Sequence, residues 1–553
     1  MRPRLRTADL KRITLALDPR VVRRLLEAGV LGPRSALGAA RSVPWMIGRG
    51  ASLGLLSQIN ATADPDKLAV IDGRGTLSWD ELDRRVNRLV HSLEELGLGP
   101  RDRVATLLRN GREQVETLTA CQKLGIEGAP LNTWGKEAEI AHALEQTEPA
   151  AIVYDTRHAG QLRPWVNEHD RLVAVKHRGG RALSGSVPYE DLLRDRSERQ
   201  PRPFTLPRGH PRIVIHTSGT TGKAKAAARG TGGMWAMVGL LVVVPYTRDD
   251  VVLAPAPLFH SFGLLTLTVS MLLGCTMVLP DRFDPEETLA LIEDHRVTAA
   301  SFVPVMIRRI LSLPTSTIRR YDLSSLRIVL ASGSAMDAEF RQDAVKVLGD
   351  VLYDLYGSTE AGWVAIATPE DMAADPHTLG APVPGVEVAI LGEDGQVLAP
   401  GEHGTISVRS DAAFEGYASG EATAEQAGYL SMGDLGWMDE RGRLYVEGRA
   451  DDMVVVGGEN VYPAEIEEVI QGVPGVREAT VIGVADPEYG QVLAAFVQGK
   501  VDPDRVKEAA REHLASFKVP KVVRVVDELP RTPTGKVRRG DLQELLRGDT
   551  DGG

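Results

Sequence analysis

Spaced by its apolar residues, the chain alternates short apolar runs with longer amphipathic ones. Leu68 to Ile71 and Thr76 to Ser78 read as two short strands joined by a glycine-containing turn. From Asp80 to Leu96, the residues Leu82, Val86, Leu89, Val90 and Leu93 recur at helical spacing, with Gly97 as the stop. Val104 to Leu108 then reads as a strand and Gln114 to Leu124 as a helix, and apolar runs return at Ala151 to Tyr154, Val251 to Ala254, Thr276 to Leu279 and Ile328 to Ala331. Strands alternating with helices predict an α/β fold whose mostly parallel sheets are covered by helices. No internal repeat of fixed period stands out. His260 to Pro280 carries no Asp, Glu, Lys or Arg, a length sufficient to cross a bilayer. Gly263, Gly274, Cys275 and Pro280 divide it instead into a buried helix and a following strand. Together with Met237 to Val244 and Phe302 to Leu311, its apolar residues are candidate walls of a ligand pocket, although apolar helical stripes are ordinarily core.

Composition adds bounds. With 553 residues, 43% hydrophobic and 25% charged, the chain is too long for one domain and long enough for large cores. Its two cysteines, Cys121 and Cys275, form no C-x-x-C or Cys/His pattern, which excludes a disulfide framework or zinc site and fits the reducing cytoplasm. A net charge of -11, without a basic stripe carrying interleaved aromatics, argues against nucleic acid as a partner. The first fifty residues run the other way, with eleven Lys/Arg interspersed with Leu15, Leu17, Val21, Val22, Leu25 and Leu26. This basic extension reads either as a helical segment packed on its own domain or as a peripheral contact with an anionic membrane. Charges at Lys11, Arg12, Asp18 and Arg20 interrupt any signal-peptide core.

Candidate chemistry lies in four polar clusters. After the apolar run Ile213 to Ile215 comes His216, Thr217, Ser218, Gly219, Thr220, Thr221, Gly222, Lys223, Ala224, Lys225. Its glycines let backbone N–H groups converge on an anion, its hydroxyls add donors and its lysines add charge, so a loop starting at His216 suits phosphate. Only two residues separate Gly219 from Gly222, so it is not a Walker A loop. The other clusters are Asp354 to Glu360, following a short strand Val351 to Tyr353, then Gly433 to Gly436 with Glu447 to Asp452, and finally Pro530 to Lys536. Each alone could be a turn. Their joint order is specific.

In these motifs the chain resembles the adenylate-forming superfamily of acyl-CoA synthetases, nonribosomal-peptide adenylation domains and beetle luciferase, over about residues 55 to 545. The resemblance implies an α/β fold with a basic extension at 1–50, followed by an N-terminal domain at 51–448. That domain would have two α/β subdomains and a small β-barrel at about 380–448. A small mobile α+β C-terminal domain at 449–553 would turn about a hinge near Asp451. It also implies an AMP-forming acid–thiol ligase that takes a small carboxylic acid, with ATP, Mg²⁺ and coenzyme A. Thr217, Ser218, Gly219, Thr220, Thr221, Gly222 and Lys223 would close over the β- and γ-phosphates. Gly333, Ser334 and Ala335, with Tyr356, would hold adenine, and Asp354 and Gly357 would belong to the cofactor-binding set. Thr359 would touch the α-phosphate, Glu360 would bind Mg²⁺, Asp434 would accept from the ribose hydroxyls, and Arg449 would support ribose and phosphates.

Lys536 is the implied catalytic lysine, because a carboxylate attacking the α-phosphorus requires charge neutralisation rather than a base. In the second step the coenzyme A thiol would displace AMP, with Met453 to Asn460 facing the site and Gly458 letting pantetheine pass. Phe259 to Gly263 has His260 where amino-acid adenylating domains carry an aspartate, which favours a plain acid, fatty or otherwise apolar, with His260 near the acyl or thiol entrance. Departures are Ala224 and Ala226 around Lys225, His216 in place of a common tyrosine, and Ser334 in place of a frequent glycine. Transfer to a carrier-protein thiol or an amine stays open, as does a catalytically degenerate nucleotide-binding regulatory protein.

Overall fold

The computed structural model describes residues 18–29, 52–163, 171–177, 179–201, 212–218, 224–229, 234–336, 338–410, 425–426, 428–449, 453–530 and 537–547. Two large sheets dominate. In the first, the strands Leu352–Ser358, Ile328–Ser332, Ala299–Phe302, Val251–Leu253, Thr276–Leu279 and Leu68–Asp72 lie side by side and parallel. Antiparallel strands at Gly75–Ser78 and Gly362–Ala367 extend its two ends. In the second, Leu172–Val175, Ala151–Asp155, Arg103–Leu107, Glu127–Pro130 and Ile213–Ser218 run parallel. Helices Leu53–Ala63, Trp79–Glu95 and Arg112–Leu124 share one buried cluster with residues of both sheets, including Val70, Met277, Val104 and Ile213. The predicted βα rhythm is thus realised, with element ends within a few residues of those read from spacing.

Two polar features order this core. Lys123 Nζ donates to Asp83 Oδ1 at 2.6 Å and Asn87 Oδ1 at 2.7 Å between the packed helices, satisfying a buried ammonium that would otherwise be costly. A side chain at Gly54 would place its Cβ 2.5 Å from Lys123 Cγ, so glycine is what lets the two helices approach.

The uncharged stretch from His260 is the helix Ser261–Leu273 followed by the strand Thr276–Leu279, both largely buried, as expected. Among the described residues no helix is long and apolar enough to cross a membrane. The small β unit is a five-stranded antiparallel sheet comprising Glu387–Leu391, Gly404–Arg409, Glu425–Gln426, Tyr429–Met438 and Leu444–Arg449. A second five-stranded sheet, from Val454–Val456 to Val522–Val526, forms the core of the C-terminal domain with helices Pro463–Gln471 and Pro503–His513 on one face.

Part of the basic extension is a helix, Pro19–Glu27. Val21 and Ala28 are buried, and Arg24 donates to the carbonyls of Leu241 at 2.9 Å and Tyr246 at 2.6 Å. This stretch packs on its own domain.

Candidate active site

The parallel strands of the first sheet change direction of succession at Val251–Leu253, whose next strands in sequence lie on opposite sides of it. Crevices at the carboxyl ends of strands at such a point are where open α/β sheets bind ligands. A cavity of about 160 Å³ opens here, with Ala256, Val303, Ser332, Gly333 and Leu355 contributed by or just beyond those strand ends. Phe262 and Leu265 from helix Ser261–Leu273, with Trp363, supply apolar wall.

Local chemistry fixes this rim. Asn110 is buried and donates to the carbonyls of Ala254 at 3.0 Å and Ala256 at 2.9 Å, while its oxygen accepts from Leu258 N at 2.9 Å. One side chain thus shapes the turn that delivers Phe259 and His260. Gly263 is required behind it, since a Cβ there would lie 2.1 Å from Pro257 O. His260 N-caps the helix through its backbone, and its ring packs on Phe259 with centroids 4.4 Å apart, Trp134 lying edge-on to Phe259.

The C-terminal domain supplies the facing wall. Its hairpin Val454–Val456 and Glu459–Val461 turns through Gly457 and Gly458, with φ of +59° and +96°. Gly457, Gly458, Glu459 and Asn460 all line the cavity. Glu459 Oε1 stands 2.6 Å from His260 Nε2. A Cβ at Gly458 would lie 3.2 Å from Val303 Cγ1. From here a wider cleft of about 570 Å³ runs outward between the domains, bordered by Arg109, Arg282, Arg309, Tyr489, Phe517 and Lys521.

Other residues singled out in the sequence gather here in part. Ser358 and Thr359 line the cavity, with Thr359 Oγ1 3.4 Å from Ser261 Oγ and Glu360 next in the chain. The Tyr356 hydroxyl donates to Asp434 Oδ2, and Asp434 lies opposite Arg449 in the antiparallel pairing. Ser334 and Ala335 follow Gly333 on the same turn. Among the described residues no group of three or more His, Cys, Asp or Glu side chains converges on one point, so a lone carboxylate such as Glu360 suits Mg²⁺ arriving with phosphate oxygens.

Several expectations change. The strand after Arg212 runs on to Ser218 and pairs antiparallel with Ala224–Arg229, so Thr217 and Ser218 end a β-hairpin arm rather than sit in a loop beginning at His216. The strand at 352 likewise continues to Ser358. Asp354 is buried, and its carboxylate is bonded 2.5 Å from Arg341 Nη2, an ion pair inside the core. Its carboxylate is thus engaged inside the core. Met237, Leu240, Leu241 and Val244 are buried core under the sheet and do not line either cavity. Gly219 to Lys223, Asp451 and Lys536 lie outside the described residues. Glu459, Trp134 and Ser261 were given no role of their own by the sequence reading. Their place beside the cavity depends on contacts across the fold.

The AMP-binding enzyme family profile matches residues 57–418, and the AMP-binding enzyme C-terminal domain profile matches 465–536. The chain belongs to the AMP-binding enzyme family. It is 34% identical to a feruloyl-CoA synthase of Amycolatopsis sp, over 90% of this chain and 99% of that one. It is 33% identical to an indoleacetate–CoA ligase of Aromatoleum aromaticum, over 88% and 96%. Among solved structures it is similar to an amide bond synthetase from Marinactinospora thermotolerans, with TM-score 0.81 and 28% identity over 90% of this chain and all of that one. The expected class, an AMP-forming acid–thiol ligase with ATP, Mg²⁺ and coenzyme A as its cofactors, agrees with this membership.

Proposed function

We propose that this enzyme activates a compact apolar acid, with a single aromatic ring as the best fit, to its acyl-adenylate and transfers the acyl group to coenzyme A. The observation that carries the acid class is the short apolar wall of the cavity, Phe262, Leu265 and Trp363, standing beside the strand-end residues Gly333, Ser358 and Thr359 that the nucleotide would occupy. The cavity's volume of about 160 Å³ would be shared with the nucleotide, which favours a compact acid over a long chain. The similarity to a feruloyl-CoA synthase and an indoleacetate–CoA ligase, whose acids carry one ring and two fused rings, supports a compact aromatic acid over a long chain.

In the first step a carboxylate oxygen attacks the α-phosphorus and pyrophosphate leaves. Two anions meet, so the work is positioning and charge neutralisation. Lys536 supplies an ammonium, and Thr217 with Gly219 to Lys223 hold the leaving phosphates. Glu360, together with the phosphates, would hold Mg²⁺, which would screen their charge. Tyr356 stacks on adenine, Asp434 accepts from the ribose, and Arg449 supports both. In the second step the thiol sulfur attacks the acyl carbonyl and AMP leaves. The wide cleft between the domains, bordered by Arg109, Arg282, Arg309 and Lys521, suits a phosphate-bearing thiol and thereby favours coenzyme A over a simple amine. The amine reading keeps support from the amide bond synthetase likeness. The approach of the Gly458 hairpin to Val303 supports assigning this arrangement to the second step, with the first step requiring rotation of 449–553 about Asp451 relative to 51–448. Membrane contact by the extension finds no support at 19–28, whose apolar side is packed on the domain. Two buried cysteines without a disulfide suit a cytoplasmic enzyme.

The test is pyrophosphate release with ATP and Mg²⁺ across one-ring, two-ring, medium-chain and long-chain acids, each with and without coenzyme A, with products identified by mass. One-ring acids giving acyl-CoA at multiple turnover support the reading. Preference for long chains overturns the acid class, and an acyl-adenylate that coenzyme A does not discharge overturns the acceptor.

A further inference from the structure

Few charged side chains bridge the two domains, and they differ in burial. Arg309 meets Glu488 at 2.9 Å and the Tyr489 hydroxyl at 2.7 Å, but it is largely exposed. Lys518 is different, with only 10% of its side chain exposed. Its Nζ donates to Glu465 Oε1 at 2.8 Å, within the C-terminal domain, and to Glu139 Oε1 at 2.7 Å, across the domain boundary.

The Glu139 carboxylate is held in place independently of Lys518. Glu139 lies in the first turn of helix Glu137–Thr147, where its second oxygen accepts from Lys136 N at 2.8 Å. That bond fixes the side chain and leaves Oε1 aimed outward. Glu465 lies in the first turn of helix Pro463–Gln471. Burial works against the Lys518 ammonium, yet the paired carboxylates outweigh it and raise its pKa, so the lysine is charged at neutral pH.

We propose that Glu139 and Lys518 form a latch holding the C-terminal domain in the arrangement that closes the Gly458 hairpin over the cavity, which makes Glu139 a positioning residue for acyl transfer. This rests on the proposed alternation between two steps. When the domain turns away, Lys518 keeps Glu465 and loses Glu139, which returns to water. The latch therefore stabilises one arrangement without holding either domain's fold together. A buried charged pair is well suited to this, because half-made it leaves a desolvated charge short of a partner, whereas a surface pair is worth little. Neither Glu139 nor Lys518 lines the inner cavity, so the latch acts on the arrangement of the domains rather than on contacts to the nucleotide.

Glu139→Gln keeps an oxygen for the helix cap, and Lys518 keeps Glu465, so the variant folds. Inter-domain distances would be read by spin labels at Ser316→Cys and Glu508→Cys, both at exposed positions, the native Cys121 and Cys275 being buried and out of a label's reach. The expected result is at least a roughly fivefold fall in the ratio of latched to unlatched distances, the low end of typical couplings, deeper still in Glu139→Lys. Discharge of supplied acyl-adenylate by coenzyme A should slow by a similar factor, with acid-dependent pyrophosphate release unchanged or faster. Unchanged distances in both variants overturn the latch, as does equal loss of both half-reactions. If wild-type enzyme fails to use coenzyme A, the acceptor reading falls, while the distances still decide the latch.

Discussion

The two walls of the cavity are built on opposite principles. The N-terminal wall is fixed: its turn is pinned by three hydrogen bonds to Asn110, and its strand ends rise from a parallel sheet with buried faces. The C-terminal wall is a two-glycine turn, Gly457 and Gly458, carried by a separate sheet and held across the gap by ion pairs at Glu488 and Lys518 and by the close approach of Glu459 to His260. Shape on one side and charge on the other separate recognition from timing. A substrate reads the fixed wall, and the detachable wall decides which step that substrate meets.

Changes at each wall should therefore differ in kind. The largest effect is expected at Gly458→Leu. A side chain at φ +96° is strained, and its Cβ would press on Val303 at 3.2 Å. Thioester formation should fall by two orders of magnitude or so while pyrophosphate release changes little, as measured by single-turnover kinetics of each half. A proportional loss would erase the contrast. Next comes Glu360→Gln, expected to lower adenylation by about 10²-fold, as removal of one electrostatic contact typically does, and to shift the Mg²⁺ dependence to higher concentration. Discharge of supplied adenylate would stay near wild type.

At the fixed wall the effect should be on stability. Asn110→Ala leaves two carbonyls and one N–H without their buried partner, a loss of about 1–3 kcal/mol. It should lower Tm and raise KM for the acid. Retention of wild-type KM and Tm would show that the turn needs no pin.

The effect with the narrowest range of conditions concerns pH. Burial pushes the Glu113 carboxyl up to about 7, with Arg74 opposing and Glu116 reinforcing. A raised folded pKa means the folded state holds the proton more tightly than the unfolded chain. Glu113 then adds stability that is full below its unfolded pKa and is lost as pH climbs through about 7. Glu113→Gln should flatten the stability profile between pH 5 and 8 and stabilise the alkaline side by something on the order of 3 kcal/mol. A profile parallel to wild type would show that Glu113 ionises normally.

Much of this was legible in the chain because its signals are local. Apolar spacing gave the parallel strands Ala151–Asp155, Thr276–Leu279 and Ile328–Ser332 nearly to their ends, and the glycine and hydroxyl residues Gly333, Ser358 and Thr359, singled out by their motifs, do line the cavity. What was not legible depends on distant partners. Thr217 and Ser218 read as loop because their strand partner, Ala224–Arg229, has its own run of small residues without strand-like alternation. Asp354 read as part of a polar cluster because Arg341, which neutralises it in the core, lies on another element. Met237 to Val244 looked like pocket wall, and only the sheet packed over it makes it core. The pairing of Glu459 with His260 joins two domains, and no spacing rule reaches that far.

The division of labour between the walls is tested most directly at Lys536, a residue outside the described ones. In one preparation of Lys536→Ala, acid-dependent pyrophosphate release and coenzyme A discharge of supplied acyl-adenylate would be measured side by side. The account predicts that the first is abolished and the second retained near the wild-type rate. Loss of both in equal measure would contradict it, because one arrangement of the domains would then serve both steps.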